Sequence, residues 1–218
     1  MKSKKTSRFP EALRARRHLA QVDSRLGRVI EEVGPLKIEL DPDESIYESL
    51  GISIVYQQLH GKAAAAITKR LKALFNDEDR FPEPAEIAGA SLTHLRSAGL
   101  SESKAKALQD LAEKTIQRVL PDRAQAADMN DEELIEALTA VKGIGPWTAQ
   151  MLLIFTLGRK DVLPVADYGV RKGFSLLYGK KDLPTPRELL AFGERWRPYR
   201  SAAAWYLWRV TEMPGFKK

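Results

Sequence analysis

The chain has 218 residues, 44 % of them hydrophobic, with 35 Lys and Arg against 29 Asp and Glu, a formal net charge of +6. That length suffices for one large domain or two lobes sharing an interface, and the positive excess suits a polyanionic partner without proving one. The absence of cysteine excludes disulfides, thiolate zinc sites, iron–sulfur clusters and a cysteine nucleophile. The three histidines, His18, His60 and His94, are scattered and lack metal-ligand spacing. The opening MKSKKTSRFP is basic but has no apolar core behind it, so it does not read as a secretory signal. Apolar runs stay well short of about 18 residues, so no membrane span is expected.

Almost everything reads at helical period. Behind Pro10, the residues Leu19, Val22, Leu26, Val29, Ile30 and Val33 form one apolar stripe, and Gly34-Pro35 stops it. The short KIEL that follows reads as extended. Ile46, Leu50, Ile54 and Val55 mark a helix ending near YQQLHG, and from Lys62 a second face carries Ile67, Leu71 and Leu74. FPEPAEIAGA is a proline-rich connection to a short helix, and SLTHLRSAGL ends at Gly99, a C-cap by type. Ser101 opens a helix bearing Leu108, Leu111 and Thr115, closed by Pro121. Asn130 with Glu133, and Thr185 with Glu188, form capping-box patterns, the second with Pro186 at the first helical position. The fold class is all-α, with about nine or ten helices and no internal repeat.

One break stands out. LTAVKGIGPWTAQMLL, from Leu138 to Leu153, interrupts a helix with two glycines and a proline and restarts it at once. Glycine at 143 and 145 admits positive φ and close approach of another backbone, and Ile144 between them can plug the gap between the helices. Pro146 is preset for the first turn of the next helix. A tight turn followed by a helix N-terminus presents backbone N–H groups to an anion such as a DNA phosphate, with Lys142 beside it and Thr148 in the first turn. An ordinary corner between two helices would read the same way if Gly-Ile-Gly stood alone. Downstream, VLPVADYGVRKG places Asp167 before a helix, where the dipole and backbone N–H groups hold a carboxylate ionised.

The string LxxVKGIGPWTA resembles the helix-hairpin-helix of DNA-binding proteins, and in particular that of the DNA glycosylase superfamily built on this hairpin. The family places an Asp roughly 20 residues after the hairpin, in a proline-containing loop that enters a helix, and Asp167 matches it. SIVYQQLHGKAAAAI is similar to the family's minor-groove segment, in which a side chain fills the space left by an extruded nucleotide. Gln58 holds that position, with Leu59 and His60 beside it. The C-terminal RWRPYRSAAAWYLWRVTE resembles the end of the 3-methyladenine DNA glycosylase II family, with Trp208 at the pocket tryptophan and Trp147 at a second. Trp196 and Trp205 are read as core. The resemblance covers about residues 40–218, and the length matches the compact form rather than members with an added N-terminal β-rich lobe.

The resemblance implies two helical lobes flanking a cleft: one of about residues 60–165, with the hairpin at 138–149, and one of about 10–59 plus 166–218. It implies a monomer that extrudes an alkylated purine from damaged duplex DNA, cuts the N-glycosidic bond and leaves an abasic site. Asp167 would stabilise charge at C1′, and Trp208 and Trp147 would stack on the cationic base. Gln58, Leu59 and His60 would enter the minor groove. Lys142, Gly143, Ile144, Gly145, Thr148, Arg171 and Lys172 would hold the backbone. In the family, hairpin carbonyls coordinate a monovalent cation, Na+ or K+, and Thr139, Val141 and Ile144 stand at those positions; no other cofactor is implied. Lyase-competent relatives carry a Schiff-base lysine where this chain has Trp147, so no strand cleavage is expected. The implied location is cytoplasmic and nucleoid-associated, or nuclear in a eukaryote. A non-catalytic DNA-binding module, a glycosylase for another lesion, and a helical RNA- or protein-binding scaffold are the competing readings.

Overall fold

The computed structural model describes residues 7–77 and 79–216. Its elements run β1 (Ser7–Arg8), α1 (Ala12–Val22), α2 (Ser24–Val33), β2 (Glu39–Leu40), α3 (Ile46–Tyr56), α4 (Gly61–Ala73), α5 (Pro84–Gly89), α6 (Leu92–Ser97) and α7 (Glu102–Ile116). Then follow α8 (Arg123–Asp128), α9 (Asp131–Thr139), α10 (Pro146–Phe155), α11 (Tyr168–Tyr178), α12 (Pro186–Gly193) and α13 (Arg200–Val210), with 3-10 turns at Glu194–Trp196 and Pro214–Phe216. The fold is all-α. KIEL contributes β2, which pairs antiparallel with β1 in the register Ser7↔Leu40. No helix among the described residues is long and apolar enough to cross a membrane.

Thirteen α-helices among the described residues exceed the predicted number for local reasons. The stripe from 10 to 33 is two helices rather than one. Asp23 leaves helical geometry (φ −148°, ψ 97°) and its side chain accepts from Leu26 N, capping α2. A cap needs such a residue, and an Asp inside an apolar period does not announce whether it will serve as one. Residues 123–128 form α8 because Asp122 and Gln125 exchange side-chain and backbone bonds in a capping box. The two boxes read from sequence, Asn130/Glu133 and Thr185/Glu188, are both present.

Two compact units divide the chain: Met1–Pro42 with Leu153–Lys218, and Asp43–Leu152. The boundaries thus fall at 42/43 and 152/153, not at 59/60 and 165/166 as the lobes were expected to run. The difference lies mainly in α3, which packs on α7 and α4 and so carries the turn at Gln58 into the same unit as the hairpin.

In the discontinuous unit, α11 packs along α13, and α13 also meets α1 and α2. Glycine sets how close these helices come. A Cβ on Gly173 would lie 2.0 Å from the carbonyl oxygen of Leu207 and 2.7 Å from its carbon. Those are backbone atoms of α13, so the helices must separate before any side chain fits. Gly173→Ala is therefore expected to cost about 3 kcal/mol, lowering the melting temperature by roughly 6–12 °C in thermal unfolding. Fully buried Trp196 and nearly buried Trp205 lie in this core, as their sequence reading anticipated. Asp23, 6 % exposed, accepts from Trp196 Nε1 at 2.9 Å and from the Tyr178 hydroxyl.

In the contiguous unit α7 is the central helix, contacted by α3, α5 and α6. Ala105, Leu108, Leu111 and Ala112 form its buried stripe. The ring of Phe81 sits where a Cβ on Gly51 would be, 2.5 Å from its Cζ, which seats residues 79–83 on α3. Tyr47 donates to Pro82 O at 3.1 Å.

Candidate active site and nucleic-acid interface

The hairpin forms as the sequence indicated. α9 ends at Thr139, Gly143 takes φ +80°, and Gly145 O accepts from Ala149 N at 3.1 Å to open α10. Ile144, 5 % exposed, fills the gap between the helices. Gly143 is required by its backbone angle. Gly145 differs: a Cβ there would meet nothing within 4 Å, so the chain's own packing does not call for a glycine. Close approach by another molecule would. Two of the turn's amides are already engaged. Lys142 N donates to Asp110 Oδ2 at 2.7 Å, and Ile144 N donates to Val141 O at 3.1 Å. The turn itself therefore offers fewer amides to an anion than expected, and Gly145 with the first turn of α10 must supply the rest. Asp110 also receives Lys114 Nζ at 2.6 Å. Lys114 and the Lys142 amide hold its carboxyl below the usual range against a burial cost, so the anchor stays charged.

The turn after α3 lies in the same unit. Gln58 adopts φ 55°, uncommon for a residue with a side chain, and it is exposed together with Leu59 and His60. Leu59 is not a core residue. Two interactions invisible in the sequence fix this turn. Lys104 Nζ, reaching from α7, donates to Val55 O and Gln57 O, both at 2.7 Å, and burial lowers its pKa. Gln57 Nε2 donates to Gly143 O at 2.9 Å, which ties the exposed turn to the hairpin. Trp147, 52 % exposed, stands in the first turn of α10.

The other unit holds the acid. Asp167 is the N-cap of α11, with its Oδ1 accepting from Val170 N at 2.7 Å, as its position before the helix predicted. The same oxygen accepts from Trp208 Nε1 at 2.8 Å. The carboxylate and the indole are thus in direct contact across 41 residues of sequence. Phe155 lies against the indole, with ring centroids 5.7 Å apart and planes inclined by 33°. Tyr168, next to the acid, is 67 % exposed. Residues Phe155 and Gly169 were not singled out by sequence reasoning; an apolar residue ending a helix and a glycine in a first turn carry no signal of their own. Arg171 and Lys172 follow on α11, half-buried. Arg171 Nε donates to Pro184 O at 2.8 Å, so this side chain braces the loop before α12 as well as bearing a charge.

Hairpin, positive-φ turn and indole-bonded Asp define a class. Residues 52–198 match the HhH-GPD superfamily of base excision DNA repair proteins, and the chain belongs to it. Its relatives narrow the comparison. The chain is 39 % identical over 206 residues to DNA-3-methyladenine glycosylase 1 of Schizosaccharomyces pombe, covering 92 % of this chain and 88 % of the relative. It is 30 % identical over 200 residues to the alkylbase DNA glycosidase-like protein mag2 of the same organism, covering 92 % and 94 %. Among solved structures, S. pombe 3-methyladenine DNA glycosylase (Mag1) in complex with abasic DNA matches with a TM-score of 0.80 at 38 % identity. That match covers 94 % of this chain and all of that one. The DNA-3-methyladenine glycosidase of Bacillus halodurans matches with a TM-score of 0.81 at 35 % identity, over 94 % and 92 % of the two chains.

Proposed function

We propose that this protein is a monofunctional DNA glycosylase that removes alkylated purines, of the 3-methyladenine and 7-methylguanine type, from duplex DNA. The observation that carries the reading is the Asp167–Trp208 pair at 2.8 Å on a fold whose near relatives bear the name 3-methyladenine glycosylase. A duplex hides the bond to be cut, so the nucleotide must be extruded. Gln58, with Leu59 and His60, fills the vacated space from the minor-groove side. Gly145, Lys142, Gly143, Ile144 and the α10 first turn with Thr148 hold the phosphate backbone, assisted by Arg171 and Lys172.

Alkylation at N3 or N7 makes the purine cationic. Trp208 attracts such a ring through stacking and cation–π forces, and Trp147 is the second candidate for that work. When the N-glycosidic bond breaks, its electron pair leaves with the base and positive charge grows at C1′. Asp167 stabilises that charge and orients the water that adds to C1′, the water's proton passing to the carboxylate or solvent. A neutral alkylpurine and an abasic sugar result. With Trp147 where a Schiff-base lysine would stand, the strand stays intact.

The hairpin carbonyls suit a monovalent cation, Na+ or K+. Those of Thr139, Val141 and Ile144 are neutral oxygens at and beyond the C-terminal end of α9, where the helix dipole favours positive charge. Val141 O already accepts one hydrogen bond and keeps a second lone pair. No cluster of three acidic or histidine side chains fit for a multivalent metal occurs among the described residues. Such a cation would link the turn to a phosphate. The protein acts as a monomer in the compartment that holds DNA, cytoplasm and nucleoid or nucleus.

Incubation of purified protein with methylated duplex DNA tests the reading. Chromatography is expected to show free 3-methyladenine or 7-methylguanine, and a denaturing gel without heat or alkali is expected to show uncut strands. Duplex binding without any released base would leave a DNA-binding module, and release of oxidised or deaminated bases alone would change the lesion.

A further inference from the structure

The pocket tryptophan reaches the acid because α11 carries no side chain between them. Gly169 is the second residue of α11. A Cβ built there would lie 2.7 Å from Trp208 Cδ1, 3.0 Å from its Nε1 and 3.2 Å from Asp167 Oδ1. It would sit against both ends of the 2.8 Å hydrogen bond. An indole cannot yield like the tip of a flexible chain, and Phe155 lies against it. The local backbone gives no reason for glycine: its φ lies outside the left-handed range, and alanine is the better helix former.

We propose that Gly169 is a positioning residue for base release, acting through Trp208, whose indole N–H holds the Asp167 carboxylate in place. This rests on the functional reading above. The carboxylate's Oδ1 is fixed by two donors, Val170 N from its own helix and Trp208 Nε1 from α13. The tryptophan thus has two tasks: its ring forms the wall of the base pocket, and its edge orients the acid.

The test is a double-mutant cycle of Gly169→Ala and Trp208→Phe, read as single-turnover release of 7-methylguanine from duplex DNA over a range of protein concentrations. Phenylalanine keeps a ring and removes the N–H. Each single variant is expected to release base roughly tenfold more slowly at saturation, the size of one lost charge-assisted bond, with the half-saturating concentration of Gly169→Ala within about twofold of the parent's. The double variant should be no slower than the slower single variant, since both act on one bond. Gly169→Ala should melt within a few degrees of the parent, because alanine's gain as a helix former offsets part of the cost of displacing the indole.

Multiplicative losses, or a loss carried by weaker DNA binding rather than by the saturating rate, would overturn the proposal while leaving the glycosylase reading intact. Full release by Asp167→Asn, run alongside, would overturn the proposal and remove Asp167 from the mechanism, whereas no release by the parent protein would overturn the glycosylase reading itself.

Discussion

Asp167→Asn is expected to lower base release by roughly 10²–10³-fold, the loss typical when one group that stabilises developing charge is removed. Binding to the same methylated duplex should be unchanged or tighter. Asparagine is isosteric and serves as well as aspartate at a helix N-cap, so its oxygen can still accept from Val170 N and α11 need not fray. What disappears is the negative charge at C1′. Because a carboxylate facing a polyanion costs affinity, binding that is kept or tightened while release falls assigns the loss to the chemical step and not to DNA contact. Single-turnover release and fluorescence anisotropy on one oligonucleotide give both numbers. Release within a few-fold of the parent would remove Asp167 from the mechanism.

The second large effect concerns stability and lies far along the chain from the acid. Asp23→Ala should destabilise the protein by about 3–5 kcal/mol. Three donors lose their acceptor together: Leu26 N in the first turn of α2, Trp196 Nε1 and the Tyr178 hydroxyl. The cap accounts for about 1 kcal/mol. The tryptophan N–H is left inside a buried site where water does not replace the bond, and an unsatisfied buried donor costs about 1–3 kcal/mol. Tyrosine can rotate its hydroxyl, so its share is smaller. Asp23→Asn restores the cap, and its NH₂ group can donate to the Tyr178 hydroxyl oxygen but cannot accept from Trp196, so it should fall between parent and alanine variant. Urea unfolding followed by tryptophan fluorescence measures all three; an alanine variant within about 1 kcal/mol of the parent would show the site is not a hub.

The same residue shows where sequence reasoning stopped. Helix type, capping boxes, the hairpin and the N-cap role of Asp167 depend on residues within four or five positions of one another, so they were legible. Asp23 looks like a polar interruption in an apolar stripe until residues 155 and 173 positions away arrive to bond it. Only then does the stripe become two helices. The site divides along the same line. Local chemistry marked Asp167, Gly143 and Gly145, and resemblance to a family marked Gln58 and Trp208. Neither could show that the indole donates to the acid rather than only facing a base, since that depends on how α13 crosses α11. Lys104 and Gln57 were missed for the same reason: one lysine among many on α7 has no mark that it reaches two carbonyls at the end of α3. Arg171 was read as a contact to the DNA backbone, and only the loop before α12 reveals its second attachment.

The division of the chain has a consequence for synthesis. One unit is an unbroken run, Asp43–Leu152, while the other is assembled from the first 42 residues and everything after position 152. As the polypeptide leaves the ribosome, the inner run can collapse once it has emerged. The leading helices cannot: α1 and α2 have their apolar stripe ready, yet α11 and α13, which bury it, do not exist for another hundred or so residues, several seconds to tens of seconds of elongation. During that interval Leu19, Leu26, Val29 and Ile30, all buried in the finished protein, are exposed to the cell's chaperones and to other nascent chains. Slower elongation across residues 43–152 should therefore lengthen that exposure and lower the yield of folded protein.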